Sequence, residues 1–224
     1  MSERQNGAEV ALTGFPKIVP RHGVQQMVAF VGNATIGDPD HAIWVHLWIR
    51  DFIDNIATST DADATATELA EALNVESLPF DKSTSVIIGA WEGVKNAYAT
   101  LWEVSIERNT QRYRALRLLT EEQFFELTAL RGAKPTETIV YVFSAGAFKP
   151  YVQWLQTEGC ELISRFAGAP IPYDTVVGLE EYLRFAIRTA AGIYRVAGSL
   201  PVVAAPISTG LLFPTPRNSL IHWS

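Results

Sequence analysis

The residues best placed to do chemistry are four arginines in one short stretch, Arg108-Asn-Thr-Gln-Arg112-Tyr-Arg114-Ala-Leu-Arg117, which contains no acid. A guanidinium is always charged and presents a planar fork of donors that matches a phosphate. With Tyr113 between the arginines and the amides of Asn109 and Gln111 beside them, the pattern suits a single-stranded nucleic acid, its phosphates on the guanidiniums and a base on the aromatic face. An equally weighted alternative is purely structural: the same arginines pair with Glu103, Glu107, Glu121 and Glu122 on adjacent turns.

Other chemistries are poorly supplied. The chain has no G-x-G-x-x-G, Walker A, H-E-x-x-H, EF-hand or G-x-S-x-G pattern. His41 and His46 are five apart, whereas a shared metal on one helix face needs a spacing of four. Cys160, beside Glu161 and with no His nearby, reads as a small buried thiol and not a nucleophile. Asp38/Asp40 and Asp61/Asp63 sit among turn-forming residues, where caps and solvated loops explain them. The sequence therefore predicts no catalytic residue, no metal and no cofactor.

These residues need a scaffold, and the composition supplies one. Of 224 residues 48% are hydrophobic and 19% charged, enough to bury a single core, and no Gly/Ser-rich or charged linker divides the chain. The net charge of -6 argues against indiscriminate coating of nucleic acid but leaves room for a local basic groove. One cysteine excludes an intramolecular disulfide and a thiolate metal cage, which fits a reducing compartment. Met1 to Gly14 lacks the basic-then-apolar pattern of a signal peptide. No uninterrupted apolar run reaches the length of about 18 residues that a membrane span needs. The expected location is intracellular and cytoplasmic, with no membrane partner.

Periodicity predicts an all-α fold: a single helical core (23–198) between an N-terminal arm (1–22) and an extended C-terminal tail (199–224). Trp44, Trp48, Phe52 and Ile56, with Ile49 and Ile53, recur at helical spacing and read as core. Thr65 and Glu68 form a capping-box pattern for a second helix through Leu69, Ala72 and Leu73. Ile87, Trp91, Val94, Tyr98 and Leu101 predict a long helix opened by Ser83 or Thr84. Thr120 with Gln123 predicts another capped helix, ended by Gly132. Asp174 or Thr175 opens a final helix with Leu179, Tyr182, Leu183, Ala186, Ala190 and Ile193 inward. Val24 to Val31 stays open between helix and strand, and so does Thr136 to Trp154: Ile139 to Phe143 could be a buried strand, but Phe143, Ala147, Tyr151 and Trp154 keep a helical period broken by Gly146 and Pro150, which favours two helical pieces. The tail carries Pro201, Pro206, Pro214 and Pro216 yet is too apolar to be solvated, so it lies in a groove of its own core or of a second copy.

Three fragments resemble the coat proteins of flexible filamentous plant viruses of the potexvirus and potyvirus kind. The first is Thr67-Glu-Leu-Ala-Glu-Ala-Leu-Asn-Val-Glu-Ser-Leu-Pro79 leading into Ala90-Trp-Glu-Gly-Val-Lys-Asn-Ala-Tyr98. The second is Ala133-Lys-Pro-Thr136 with Phe143-Ser144. The third is Leu179-Glu-Glu-Tyr-Leu-Arg-Phe185. The chain departs from the family pattern where it has Glu137-Thr138 in place of Arg-Gln and Arg184 in place of Asp, so those two family residues do not carry over. The resemblance implies a helical core whose arms link copies into a helical filament, with single-stranded RNA in a groove. It adds Arg131, Lys134 and Arg184, which flank the matching fragments, to Arg108, Arg112, Arg114 and Arg117 as RNA-binding candidates.

The leading expectation is thus a non-enzymatic capsid or nucleoprotein subunit, found in the cytoplasm and, if viral, in the virion. It would package single-stranded RNA and form a homo-oligomer through its N- and C-terminal arms. Its competitors are an all-helical enzyme or ligand-binding protein with an apolar pocket lined by Trp44, Trp48, Trp91 and Trp102, and an adaptor for protein partners.

Overall fold

The computed structural model describes residues 2–5, 8–11, 17–21, 24–32, 35–36, 42–75, 84–93, 97–129, 165, 176–196, 208–212 and 220–223. At its centre is a five-stranded antiparallel sheet, which corrects the all-α expectation. The strands are β3 (Ile18–Arg21), β4 (Gln26–Val31), β7 (Ser85–Glu92), β8 (Tyr98–Ile106) and β9 (Tyr113–Leu119), adjacent in that order. Before them lies a hairpin of β1 (Ser2–Gln5) and β2 (Ala8–Ala11). Two short strands, β5 (Thr35–Ile36) and β6 (Ile43–Trp44), pair with each other.

Between β4 and β7 the chain leaves the sheet and returns over one of its faces. Helix α1 (Val45–Asp51) continues into a π-helical turn (Phe52–Ile56), closed by the Ala57 amide donating to the Phe52 carbonyl at 2.8 Å. Helix α2 (Ala62–Val75) follows. α1 lies against β3 and β4, and α2 against β7, β8 and β9. Both helices press onto the inward positions of the strands: Val28 and Phe30, Val86, Ile88 and Ala90, and Trp102 and Val104. Against these pack Val45, Trp48, Ile49, Phe52 and Ile53 of the first helix, and Ala62, Ala66, Leu69, Ala70 and Leu73 of the second. Trp48 and Phe52 stack with ring centroids 5.8 Å apart, so the aromatic stripe is core, as its spacing predicts.

The long helix expected from Ser83 or Thr84 is instead the hairpin β7–β8, broken at Gly93, whose φ of 85° only glycine adopts without strain. The reason is that both faces of this hairpin are apolar. Val86, Ile88 and Ala90 point to the helices, while Ile87, Trp91, Ala99 and Leu101 form the half-buried opposite face. An apolar run covered on both sides satisfies a helical and a strand period at once, and the β-branched Val86-Ile87-Ile88 favours the strand. Of the Ala90 to Tyr98 fragment of the coat-protein resemblance, Ala90 to Glu92 lie in β7 and Tyr98 opens β8, so these residues are strand and not helix. Val24 to Val31 resolves as a turn and a strand.

Capping follows the sequence at one site and departs from it at another. Thr120 and Gln123 form the predicted reciprocal box at the start of α3 (Glu121–Ala129): the Thr120 amide donates to Gln123 Oε1 at 3.0 Å, and the Gln123 amide to Thr120 Oγ1 at 3.1 Å. Thr65 is no cap. Asp61 opens α2 by accepting from the Ala64 amide, while Thr65 is buried one turn inside and donates to the Asp61 carbonyl at 2.7 Å. Glu68 turns back to bond both the amide and the hydroxyl of Thr58.

A fourth helix, α4 (Val176–Val196), corresponds to the expected final helix; Tyr182, Ala186 and Ala190 are buried, but Ile193 is exposed. The tail supplies a hairpin, β10 (Ser208–Leu211) with β11 (Leu220–Trp223). β10 contacts β3 and α4, and Trp91 Nε1 donates to the Leu212 carbonyl at 2.9 Å. Residues 208–212 therefore lie on the chain's own core. The stretch 1–22, read as an arm, contains β3, the edge strand of the sheet. The caps proposed at Ser83, Asp174 and Thr175, the helix end at Gly132, and the two helical pieces favoured between Thr136 and Trp154 fall outside the described residues.

His46 is buried in α1, and burial, with Arg50 one turn away as a second cause, lowers its pKa below the ordinary 6.5. The folded state therefore binds a proton less readily than the unfolded chain. Stability should be full above about pH 6.5 and decline as pH falls below it. Urea denaturation midpoints from pH 7.5 to 5 should show this fall, and His46→Gln should flatten it; an equal fall in both proteins assigns the acid sensitivity elsewhere.

Candidate nucleic-acid interface

The arginine stretch folds as the tip and second strand of the β8–β9 hairpin, not as a link between helices. Across residues 107–112 the loop is closed by its own atoms. The Glu107 amide donates to the Arg112 carbonyl and the Gln111 amide to the Glu107 carbonyl, each at 2.9 Å, with Gln111 in the left-handed region at φ 56°. Thr110 Oγ1 donates to Glu107 at 3.0 Å and accepts from the Arg112 amide, while Gln111 Nε2 donates to the Arg108 carbonyl at 2.7 Å. The turn satisfies its backbone without the arginine side chains, and these are left outward: Arg108, Arg112 and Arg114 are all exposed.

Their environments differ. Among the described residues Arg108 and Arg112 form no ion pair. Arg114 Nη1 lies 3.1 Å from Glu107 Oε1, but its side chain stays 71% exposed, so solvent screens that pair and leaves it weak. Arg117 belongs to the other face. Paired in register with Trp102, its guanidinium sits 5.3 Å above the indole, donates through Nε to the Leu119 carbonyl and lies 3.9 Å from Glu92 Oε2.

The tip arginines thus face solvent, as a phosphate contact needs, while Arg117 packs on Trp102 and pairs toward Glu92. Tyr113 is buried, and its backbone is clamped from α2 by Asn74, whose side chain accepts from the Tyr113 amide at 2.8 Å and donates to its carbonyl at 2.9 Å. The ring is therefore not available to stack on a base. Arg184 is buried and doubly bonded to Glu180, at 3.0 and 2.8 Å, within α4. Arg131 and Lys134 lie outside the described residues. The proposed tryptophan pocket is not assembled, because Trp102 faces α1 and α2 while Trp91 lies on the opposite face of the sheet, edge-on to Phe124 of α3.

A second polar cluster escapes sequence reading. Register places Glu92, Tyr98, Thr100, Trp102 and Arg117 on the helix-covered face, at the end of the sheet where α2 begins. Glu92 Oε1 accepts from the amide of Ala62, capping α2 from across the sheet. Burial first, then the carboxylates of Glu92 and Glu121, push the Tyr98 phenol above its ordinary range. Thr100 Oγ1 and Trp102 Nε1 are buried and have no hydrogen-bond partner among the described residues. Near the edge strand, burial holds the half-buried Lys17 ammonium below its usual pKa. The one sequence signal for the cluster is the alternation Tyr98, Thr100, Trp102, Val104, visible only once the segment is read as a strand.

Among the described residues there is no group of His, Cys, Asp and Glu able to hold a metal, and no helix is long and apolar enough to cross a membrane. No protein-family model, curated protein or solved structure matches the chain.

Proposed function

We propose that this chain is a non-enzymatic, self-assembling protein that packages single-stranded RNA, holding the RNA backbone at the tip of the β8–β9 hairpin. The observation that carries the reading is the pair Arg108 and Arg112: exposed, free of acidic partners among the described residues, and presented on a turn that closes without them. Arg114 adds a third charge on the same hairpin. With Tyr113 buried, recognition rests on phosphate contacts, which position a strand without reading its sequence. Light scattering and electron microscopy of the purified protein, with and without single-stranded RNA, test the reading. RNA should produce larger regular particles, and a monomer that persists at high concentration in both samples would refute it.

A second reading, binding of a small polar ligand on the helix-covered face, is favoured by the orphan donors Thr100 and Trp102 beside Arg117 and Tyr98. A small molecule retained in native mass spectrometry would support it. A bare protein mass with ordered water between Thr100 and Trp102 would end it.

A further inference from the structure

Helix α4 buries one face through Tyr182, Ala186 and Ala190 and leaves a second, separate stripe open. Along that stripe run Val177, Glu181, Phe185, Arg188, Gly192 and Val196, all exposed. Val177 is 70% and Val196 89% accessible, which is costly for large apolar side chains on a helix that already has a buried face. The successive spacings are four, four, three, four and four, so the six members share one arc of about 100° on the helix.

That spacing reads the same in both directions. If a second copy of the helix lies antiparallel across the stripe, Val177 meets Val196 of the other copy, Glu181 meets Gly192, and Phe185 meets Arg188. The helix termini then bury valine on valine. At the centre, each phenyl ring lies under the stem and guanidinium of the opposing arginine. Glu181 faces a glycine and has Arg188 of the other copy one turn away, within reach of an ion pair that the two-fold axis repeats. A Cβ added at Gly192 meets nothing within 4 Å in the single chain, so the position is open to the close approach of another helix. Self-complementarity about one axis is what an isologous dimer requires.

We infer that α4 is a homodimer interface, with a second copy of this chain docked antiparallel along Val177, Glu181, Phe185, Arg188, Gly192 and Val196. This deepens the self-assembly part of the function proposed above and rests on that part alone. It adds a contact distinct from the terminal segments.

Sedimentation velocity of the full chain, over a range of concentrations and without nucleic acid, tests it. The parent protein should show a monomer–dimer equilibrium. Glu181→Arg sets like charges against each other twice and should raise the dimer dissociation constant about tenfold or more. Adding Arg188→Glu to the same chain should restore it. Gly192→Leu should abolish the dimer while leaving thermal stability unchanged or higher, because the side chain enters open space in the monomer. A parent that stays monomeric, or a dimer indifferent to both Glu181→Arg and Gly192→Leu, overturns the inference. Because RNA is absent, either result leaves the hairpin's role to be judged separately.

Discussion

Replacing Arg21 by alanine should destabilise the protein by about 3 to 5 kcal/mol, enough to lower the melting temperature by about 10 °C or more. Arg21 is only 7% exposed, and its acceptors among the described residues are neutral. Its Nη1 donates to Gln26 Oε1 at 3.1 Å and to Thr65 Oγ1 at 2.9 Å, and its Nη2 to the Ala57 carbonyl at 3.5 Å. Gln26, itself buried, passes the network on to the Thr60 carbonyl at 2.6 Å. One guanidinium thus joins the edge strand β3, strand β4, the exit of the π-helical turn and the first turn of α2. Alanine leaves a cavity and strands the Gln26 and Thr65 oxygens without their strongest donor. Arg21→Lys should recover part of the loss, since an ammonium reaches one acceptor but cannot fork to several. Urea unfolding measures both variants. A loss below about 1 kcal/mol for alanine would mean that water replaces the guanidinium and that the staple is dispensable.

Arg21 also shows why only part of this fold is legible in the sequence. A lone arginine in Ile18-Val-Pro-Arg21 carries no local signal of burial, because its partners lie up to 44 residues away. Features set by near neighbours read correctly: the aromatic core stripe of α1 and the Thr120–Gln123 box of α3. Features set by tertiary contact do not. Val86 to Ala90 is apolar on both sides, with helices covering one face of the sheet and Leu212 meeting Trp91 on the other, so its period alone cannot tell a strand from a helix. Thr65 has the spacing of a cap with Glu68, but the Asp61 side chain takes the cap position and Arg21 draws the Thr65 hydroxyl inward.

The arginine cluster is legible as a local excess of positive charge. Its division into solvent-facing Arg112 and Arg114 and inward Arg117 follows from strand alternation along β9, which an expected helix-to-helix link hides. The same error offered Tyr113 as a stacking surface. On a strand it alternates with exposed Arg112 and Arg114 and goes inward, held by Asn74. Arg184 illustrates the limit of reading by resemblance: its fragment is indeed helical, yet its charge is spent on Glu180 inside α4.

The salt dependence of single-stranded RNA binding by the parent protein and by Arg108→Ala/Arg112→Ala decides whether the hairpin tip holds an RNA backbone. Phosphate contacts release counterions, so the parent's affinity should fall steeply with salt. Removing two contacts should lower the slope of log affinity against log salt by about 1.4, at about 0.7 per phosphate on a single strand. The loss should be the same for homopolymers of different base, because backbone contacts carry no sequence information. Arg117→Ala should leave that slope in place and act on stability instead, through the loss of its contact with Trp102. The account predicts a shallower slope and weaker binding in the tip variant alone. A tip variant that binds with the parent's affinity and slope, or a parent that does not bind RNA at low salt, would contradict it.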